Sequence, residues 1–393
     1  MVRCGRHLVA TLHERALVLS TCARHGGLRR DLVTLVNHQS CEGAKHEQRA
    51  ALITGLGPDD YQRHVCAELG LDAAVTAVMG TAANMQYLGL VTRVWVDLSV
   101  TAIVTAGVSG NAGCAGDPAH YDEVNGKWAK TTVRDADAKP AGTTHGTINT
   151  LLFFSSPLSP AALARAVVTM TEAKTSALME LAIGSKYSTR LATGTGTDQY
   201  AIAAPQAGAM LRTWTGHHTK AGELIGDAVR AATLEALRWQ NGLEASCTRS
   251  LLHALGRFGV KEAALKELLA REFARHQGEG AHELLLANWQ SVVHEPQVAA
   301  AAYALAAVID RLQFGTIGAS SGYEALLNQA ALLAVGLAAR AELFAEVRSE
   351  LAQAALSRRD EGSEGAVPEW VARVPEMVAA AMAAGWRLKW RRA

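Results

Sequence analysis

The stretch VWVDLSVTAIV, residues 94–104, decides the class of fold. Apolar side chains occupy every second position from Val94 to Val104, and a mostly more polar set, including Asp97 and Ser99, occupies the positions between them. A period of two residues is that of a β-strand whose two faces meet different surroundings. The stretch therefore predicts one half-buried strand of a sheet.

Further strands and helices are predicted on both sides of this strand. Short strand candidates cover residues 16–20, 32–36, 147–154, 187–193 and 199–203. Helices are predicted over residues 58–69, over residues 160–184 with Ser159 as the N-cap and Gly184 at the exit, and from Thr219 to about Gly242.

The sequence changes in character after Gly242. Residues 243–393 are rich in Ala, Leu and Glu at helical spacing, and the acidic stretch RRDEGSEG at 358–365 precedes a last predicted helix. We therefore predict an α+β fold, with a layered mixed sheet and packed helices in the N-terminal two-thirds and an all-helical C-terminal region. The predicted domains are residues 1–241 and residues 242–393.

Composition and charge exclude several classes of protein. Hydrophobic residues make up 49% of the 393 residues and charged residues 19%, which is typical of a globular chain. The formal net charge of +1 argues against nucleic acid as a partner, and the sequence lacks a run of about 18 apolar residues that would predict a membrane span. Six scattered cysteines without a CxxC pair indicate reduced thiols. We expect a cytoplasmic protein, and a homo-oligomer is compatible with the sequence.

Two glycine-rich loops carry candidate binding residues. The first, VTAGVSGNAGCAGD at 104–117, follows the predicted strand, and its small residues would let a large ligand approach the backbone. Ser109 is not in a nucleophile elbow, because G-x-S-x-G needs glycine where Asn111 stands. We interpret Ser109 and Asn111 as hydrogen-bonding groups for a substrate, and the alternative is a glycine-rich connection without a role.

The second loop, ATGTGTDQ, covers residues 192–199. It lacks the lysine of a phosphate-binding P-loop and the third glycine of a dinucleotide-binding fingerprint. A tight turn remains, in which Gly194 and Gly196 adopt positive φ and present backbone N–H groups, with Thr197 and Asp198 at the rim. A plain hairpin turn is the alternative interpretation.

Ionisable residues on and before the predicted helices are candidates for catalysis. Lys174 lies within the apolar stripe of the helix over 160–184, so its ammonium group either reaches solvent or is buried beside a carboxylate or a substrate. Glu172 points the opposite way, so the two are not expected to share one pocket. His217 and His218 precede the next helix, whose positive dipole end would keep an imidazole neutral, and the alternative is that both are surface-loop residues.

The stretch HGTINTLL, residues 145–152, places His145, Thr147 and Asn149 at the head of a predicted strand. We interpret Thr147 and Asn149 as substrate-binding residues. A less favoured interpretation makes Gly146–Thr147 a self-cleavage site that frees an N-terminal threonine nucleophile.

Five stretches together resemble the adenosylcobinamide amidohydrolase family of corrinoid salvage. In chain order they are VTAGVSGNAGCAGD, GTINTLLF, TEAKTSALMEL, ATGTGTDQ and GHHTKAGELIG, and the similarity runs over about residues 15–235. The resemblance implies a hydrolase that cleaves the amide bond between aminopropanol and the corrin ring of adenosylcobinamide and leaves adenosylcobyric acid. It implies no protein-bound cofactor or metal, since the substrate, a small-molecule metal chelate, carries its own cobalt.

The resemblance also gives the candidate residues roles in amide hydrolysis. His218, or Asp198 through a water, would be the base, and Lys174 would pair with Asp198 or donate a proton. Backbone N–H groups near Gly194, or at the head of the helix after His218, would hold the oxyanion. Trp95 or Trp214 would stack on a flat ligand face. The candidates are Asp198, His218, Lys174 and Glu172 for catalysis, and Ser109, Asn111, Thr147, Asn149, Gly194, Gly196, Thr197 and His217 for substrate binding.

Two other functions stay open at this point. One is a hydrolase with the same fold that cleaves an amide in another metal chelate, such as a hydroxamate siderophore. The other is a corrinoid-binding carrier without turnover. Release of aminopropanol from adenosylcobinamide distinguishes the first interpretation from both.

Overall fold

The computed structural model describes residues 1–40, 46–131, 146–275, 279–356 and 373–391. Contacts divide the chain into two units, Met1–Leu243 and Glu244–Ala393. The linker predicted at 358–365 and His145 lie outside the described residues.

All strands of the described residues lie in the first unit. They are β1 Val2–Cys4, β2 His7–Thr11, β3 Ala16–Ser20, β4 Gly27–Arg29, β5 Thr34–Gln39, β6 Thr76–Thr81, β7 Gly89–Trp95, β8 Leu98–Ala106, β9 Ala112–Gly113, β10 Tyr121–Val124, β11 Lys127–Lys130, β12 Ile148–Phe154, β13 Gly194–Thr195 and β14 Gln199–Pro205.

The helices occur in both units. In the first unit they are α1 His46–Leu69, α2 Pro160–Glu180 and α3 Lys220–Asn241. In the second they are α4 Ala245–Thr248, α5 Leu251–Leu255, α6 Glu262–Arg275, α7 Glu279–Ala287, α8 Trp289–Val293, α9 Pro296–Gln313, α10 Ala319–Ala338, α11 Phe344–Leu356 and α12 Val374–Lys389. None of the helices described here is long and apolar enough to cross a membrane.

Two sheets form the centre of the first unit. A six-stranded sheet has the order β4-β3-β14-β12-β8-β7, and a four-stranded sheet has the order β1-β2-β5-β6. β12 is parallel to β14 and β5 is parallel to β6, whereas the other pairs in these two sheets are antiparallel. The predicted mixed sheet is therefore confirmed.

The two faces of β8 pack against different layers. Val100 lies on the face that packs with Leu163 of α2 and Ile225 of α3. Ile103 lies on the opposite face and packs with Leu35 of the four-stranded sheet. Because each face of the six-stranded sheet removes its apolar side chains from water against a different partner, helices and the two sheets stack in layers. The predicted α+β class is confirmed.

The single strand predicted over residues 94–104 is wrong at its start. β7 ends at Trp95, Val96 adopts a φ of 52°, and Leu98 of β8 pairs with Trp95 across the turn. From Leu98 to Val104 the alternation is present, with one set of side chains buried and the other half-buried over the first four residues. Alternation continues through a two-residue hairpin turn, so periodicity did not reveal the turn.

Three capping predictions are confirmed. Ser159 accepts a hydrogen bond from the N–H of Ala162 at the start of α2. Thr219 accepts one from the N–H of Gly222 at the start of α3, and Gly242 ends α3 with a φ of 65°. These residues act within one turn of the chain, so their effect is readable from local sequence.

Two other local predictions are wrong. Ala182 adopts a φ of 50° directly after α2, so the chain leaves the helix before Gly184. The strand predicted over residues 187–193 is absent. In its place the Ser185 hydroxyl accepts hydrogen bonds from the N–H groups of Tyr187 and Ser188, and such local bonds compete with a strand ladder.

The second unit is helical throughout its described residues, as predicted. Its helices bury one common core, in which Leu265, Leu305, Ala330 and Met382 are inaccessible to solvent. One ion pair lies beside this core, between Arg257 and Asp310.

Replacing Asp310 by alanine is expected to lower the free energy of unfolding of this unit by about 3 kcal/mol, because a buried guanidinium then loses its counter-charge. Asp310 accepts hydrogen bonds from Nη1 and Nη2 of Arg257 at 2.7 and 2.6 Å, and the Arg257 side chain is 6% exposed. The control is Glu262→Ala, which breaks an exposed pair with Lys266 and should cost at most about 0.5 kcal/mol. Urea unfolding followed by circular dichroism measures both, and equal losses would contradict the prediction.

Candidate functional site

Three strands of the six-stranded sheet meet at one edge of the first unit. β12 begins at Ile148, β14 begins at Gln199, and these parallel strands pair Asn149 with Gln199. β8 runs the opposite way and pairs Ala106 with Ile148. The residues before β12, the residues before β14 and the loop after β8 therefore come together at this edge.

Asp198 lies at this edge, and its carboxylate accepts four hydrogen bonds. Oδ2 accepts from Lys174 Nζ at 2.5 Å and from the Thr195 N–H at 3.1 Å. Oδ1 accepts from the Ile148 N–H at 3.0 Å and from the Thr195 hydroxyl at 2.6 Å. The predicted Lys174–Asp198 pair is therefore present, and it ties α2 to the starts of β12 and β14.

The geometry of Asp198 bears on its role. Four donors occupy the lone pairs that two carboxylate oxygens offer, and the side chains of Asp198 and Lys174 are only 18% and 13% exposed. A carboxylate in this state holds its partners in place, and it must lose one of these hydrogen bonds before it can accept a proton from a water. These contacts hold Lys174 and the turn from Thr195 in place, and the predicted base role of Asp198 stays a prediction.

Close approach, and not a special backbone angle, favours glycine at position 194. A Cβ atom there would lie 2.6 Å from Asp198 Oδ2 and 2.7 Å from Lys174 Nζ. Neither Gly194 nor Gly196 is among the described residues with positive φ, so that prediction is wrong. The hairpin alternative is also wrong, because β13 pairs with β9 and not with β14.

The peptide carbonyl of Gly146 is surrounded by polar side chains at the same edge. Its oxygen lies 3.0 Å from Asn111 Nδ2, 2.9 Å from Thr197 Oγ1 and 2.8 Å from Thr147 Oγ1. The two hydroxyl oxygens are 2.5 Å apart. We call these three side chains the carbonyl cradle. Three predicted substrate-binding residues thus lie together, beside Asp198.

Tyr187 sets the orientation of the Asn111 carboxamide. Its hydroxyl donates to Asn111 Oδ1 at 2.6 Å, which leaves Nδ2 to donate to the Gly146 carbonyl. Burial, and secondarily the Asp117 carboxylate, raises the pKa of Tyr187, so the phenol remains a donor at neutral pH. Tyr187 was not among the predicted site residues, and it lies in the stretch that was predicted to be a strand.

Tyr187→Phe is expected to lower turnover about 10-fold, because the Asn111 carboxamide is then free to rotate away from the carbonyl it binds. The matched control is Tyr61→Phe, which also removes a 2.6 Å hydrogen bond, to His38, at a different place in the unit. Steady-state kinetics on both variants measure the effect. Equal losses in the two variants would show that Tyr187 contributes only to stability.

Asn149 lies beneath the carbonyl cradle and is fully buried. Its Nδ2 donates to Asn37 Oδ1 at 2.9 Å and to the Gly80 carbonyl at 3.1 Å, and Asn37 donates to Thr105. The side chain therefore joins the six-stranded sheet to the four-stranded sheet. Its predicted contact with substrate stays a prediction, and it would require Asn149 to change partners.

The other two catalytic candidates, Glu172 and His218, lie with His217 away from the carbonyl cradle. His217 Nδ1 is 3.5 Å from Glu172 Oε2, the rings of His217 and His218 are 6.0 Å apart, and all three residues are exposed. The prediction that Glu172 and Lys174 do not share a pocket agrees with these partners. Among the described residues, neither histidine hydrogen-bonds to the carbonyl cradle or to Asp198. The base role of His218 stays a prediction that needs a water or substrate to connect it.

Ser109 and Trp95 also lie apart from the carbonyl cradle. The Ser109 hydroxyl accepts a hydrogen bond from Asn241 Nδ2 at 2.6 Å, which ties the loop after β8 to the end of α3. Trp95 lies at the far end of β8, about 26 Å from Ala106 at about 3.3 Å per residue. The predicted stacking of Trp95 on a flat ligand face stays a prediction, for a ligand away from the carbonyl cradle. The guanidinium carbon of Arg165 lies over the Trp214 ring, 5.6 Å from the ring centroid.

One group in the described part of the chain could bind a metal ion. His7, His38 and Glu68 place one ligand atom each within 4.8 Å of one another, in the four-stranded sheet and α1. The two imidazoles are stacked 4.5 Å apart with an interplanar angle of 7°, so their nitrogen lone pairs run side by side and do not converge. Binding would require ring rotation, and the group does not include a residue of the carbonyl cradle.

Side-chain amide and hydroxyl groups around a carbonyl are the kinds of donor that stabilise an oxyanion in acyl transfer. The family model described as adenosylcobinamide amidohydrolase matches residues 2–245, which is more than half of the chain and holds this whole arrangement. The chain belongs to this family.

Two further similarities accompany the family match. An uncharacterized protein of Methanocaldococcus jannaschii is 36% identical over 187 residues, which cover 47% of this chain and 71% of that protein. A crystal structure of a Pyrococcus horikoshii OT3 protein covers 60% of this chain and 78% of its own, at 14% identity and a TM-score of 0.28. A likeness this low carries no argument about fold or function.

Proposed function

We propose that the first unit hydrolyses the amide bond between aminopropanol and the corrin ring of adenosylcobinamide and produces adenosylcobyric acid. The observation that carries this proposal is that the family match over residues 2–245 includes every member of the carbonyl cradle and the Lys174–Asp198 pair. Family membership supplies the substrate, and the arrangement of side chains supplies chemistry suited to an amide.

The proposed reaction adds water across the amide C–N bond. The acyl carbon gains the oxygen of water, and the nitrogen of aminopropanol leaves with a proton. Negative charge develops on the amide oxygen, and Asn111 Nδ2 with the Thr197 hydroxyl would stabilise it once the substrate carbonyl replaces that of Gly146 between them. Lys174, held by Asp198, places a positive charge at the same edge.

The proposed reaction uses no cofactor held by the protein, because the cobalt belongs to the substrate. The loop after β8 is built from small residues, which lets a bulky macrocycle with amide side arms approach the backbone. Ser109, Gly196 and His217 remain our candidates for contacts with those arms.

Incubation of the purified full chain with adenosylcobinamide tests the proposal. We expect release of aminopropanol, detected by mass spectrometry, together with a corrinoid product that carries a new carboxylate. Tight binding without release would identify a corrinoid carrier. Hydrolysis of a ferric hydroxamate without action on the corrinoid would identify a siderophore hydrolase.

A further inference from the structure

We propose that the chain cleaves its own peptide bond between Gly146 and Thr147, and that the freed Thr147 is the nucleophile of the hydrolase. The second half of this inference rests on the proposed function. The first half concerns the chain alone and can be tested without any substrate.

The carbonyl cradle surrounds a main-chain carbonyl in the way that an oxyanion site surrounds a reacting one. An ordinary loop carbonyl needs one hydrogen bond, whereas the Gly146 oxygen lies within 3.0 Å of Asn111 Nδ2, Thr147 Oγ1 and Thr197 Oγ1. Donors in place before charge develops are what lowers the energy of a tetrahedral intermediate. Asn111 and Thr197 are such donors here, because Thr147 supplies the nucleophile, and the bond that they activate is Gly146–Thr147.

The hydroxyl groups are arranged to activate Thr147. The oxygens of Thr147, Thr197 and Gly146 make three close contacts, but the two hydroxyl groups have only two hydrogens to donate. Thr147 can therefore donate to Thr197 at 2.5 Å while Thr197 donates to Gly146 at 2.9 Å. In that arrangement Thr147 Oγ1 accepts no hydrogen bond from the residues that the structure describes, and it lies 2.8 Å from the oxygen of the carbonyl group that precedes it in the chain. Thr147 is only 8% exposed, which limits competition from bulk water.

The backbone on both sides of the bond is held firmly. The Thr147 carbonyl accepts a hydrogen bond from the Gly107 N–H at 3.0 Å, and the Ile148 N–H donates to Asp198. Only glycine fits before the bond, because a Cβ atom at position 146 would lie 2.6 Å from the Gly107 carbonyl oxygen. Holding the two reacting groups in place lowers the entropy cost of bringing them together.

The cleavage is an N-to-O acyl shift followed by hydrolysis. Thr147 Oγ1 attacks the Gly146 carbonyl carbon, its proton passes to the Thr147 nitrogen, and the C–N bond breaks to leave an ester. Water then cleaves the ester, so that Gly146 ends in a carboxylate and Thr147 carries a free α-amino group and its hydroxyl. One water is consumed, and neither an oxidant nor a cofactor is needed.

Cleavage would supply two things that the intact chain lacks at this edge. The α-amino group of Thr147 becomes a base beside its own hydroxyl, and the pKa of an α-amino group lies near neutrality and well below that of lysine. Departure of Gly146 also frees Asn111 and Thr197 to bind the substrate carbonyl. Thr147 Oγ1 then attacks the corrin-side amide carbon, aminopropanol leaves with the proton, and water releases the acid.

Intact-mass measurement of the purified full chain, followed by N-terminal sequencing, tests the inference. We expect fragments 1–146 and 147–393, with a new N-terminus that reads TINTLL. Thr147→Ala should abolish cleavage, and Thr147→Ser, which keeps a hydroxyl, should restore it. The control is Thr92→Ala, which removes an exposed hydroxyl paired with Thr101 on β7 and β8 and should be cleaved like the original chain.

Cleavage and release of aminopropanol are scored separately, so that failure of this inference is distinguished from failure of the proposed function. Cleavage at Thr147 without release of aminopropanol supports self-processing and overturns the proposed function. An uncleaved chain that releases aminopropanol overturns the inference and leaves the proposed function standing. An uncleaved chain without activity overturns both, whether or not Thr147→Ala folds.

Discussion

Asp198→Asn is expected to lower the turnover of adenosylcobinamide by about 100-fold or more while leaving its binding largely intact. All four partners of the Asp198 carboxylate are hydrogen-bond donors. They are Lys174 Nζ, the Ile148 N–H, and the N–H and hydroxyl of Thr195. A carboxamide replaces one acceptor oxygen by an NH₂ group, so two of these donors would face another donor. The negative charge beside Lys174 is lost as well.

The control for Asp198→Asn is Asp97→Asn. Asp97 accepts a hydrogen bond from Arg212 at 2.8 Å and is also partly buried, but it lies in the turn at the far end of β8. We expect that variant to keep its turnover, and kcat and KM of both should be measured beside thermal unfolding. Unchanged turnover in Asp198→Asn would remove this carboxylate from the mechanism.

Lys174→Met is expected to fold with α2 intact and to lose about 100-fold in turnover, the scale of removing one preorganised charged donor. Methionine fits the apolar stripe of α2 in which Lys174 lies. The change leaves the partly buried Asp198 carboxylate without its counter-charge, so the free energy of unfolding should fall by about 2 kcal/mol. Full activity in this variant would make Lys174 a residue at the edge of the core and no more.

Two further variants sharpen the Lys174 test. Lys220→Met breaks an exposed pair with Glu223 and should cost at most about 0.5 kcal/mol with no loss of turnover. The double variant Asp198→Asn, Lys174→Met reports on coupling between the two residues. If they act as a unit, the double variant loses little more turnover than either single variant. Fully multiplicative losses would show two independent roles.

Local patterns predicted several elements of this chain well. Ser159 and Thr219 act on N–H groups within three residues, and the helical spacing after Gly242 continues for most of the chain that remains. The same locality explains the error at Val96, because a strand and a tight hairpin share a period of two. Sequence patterns report on neighbours along the chain, and these predictions involve only such neighbours.

The candidate site was predicted in part for the same reason. The Lys174–Asp198 pair is present, and a buried lysine within an apolar stripe predicts a carboxylate or substrate partner of this kind. Tyr187 was missed because its role depends on Asn111, which lies 76 positions away in the chain. His218 was predicted as a catalytic residue because it precedes a helix. That position in the sequence does not indicate which edge of the sheet the helix approaches.

The sequence by itself determined the α+β class, the strand that becomes β8, the helix caps at Ser159, Thr219 and Gly242, and the family to which the chain belongs. Only the tertiary structure decided that Asn111, Thr147 and Thr197 converge on the Gly146 carbonyl, and that the histidines lie elsewhere. The physical reason is that residues far apart in the chain are brought together by strand pairing, here of β12 with β8 and β14, and that no local period records such pairing.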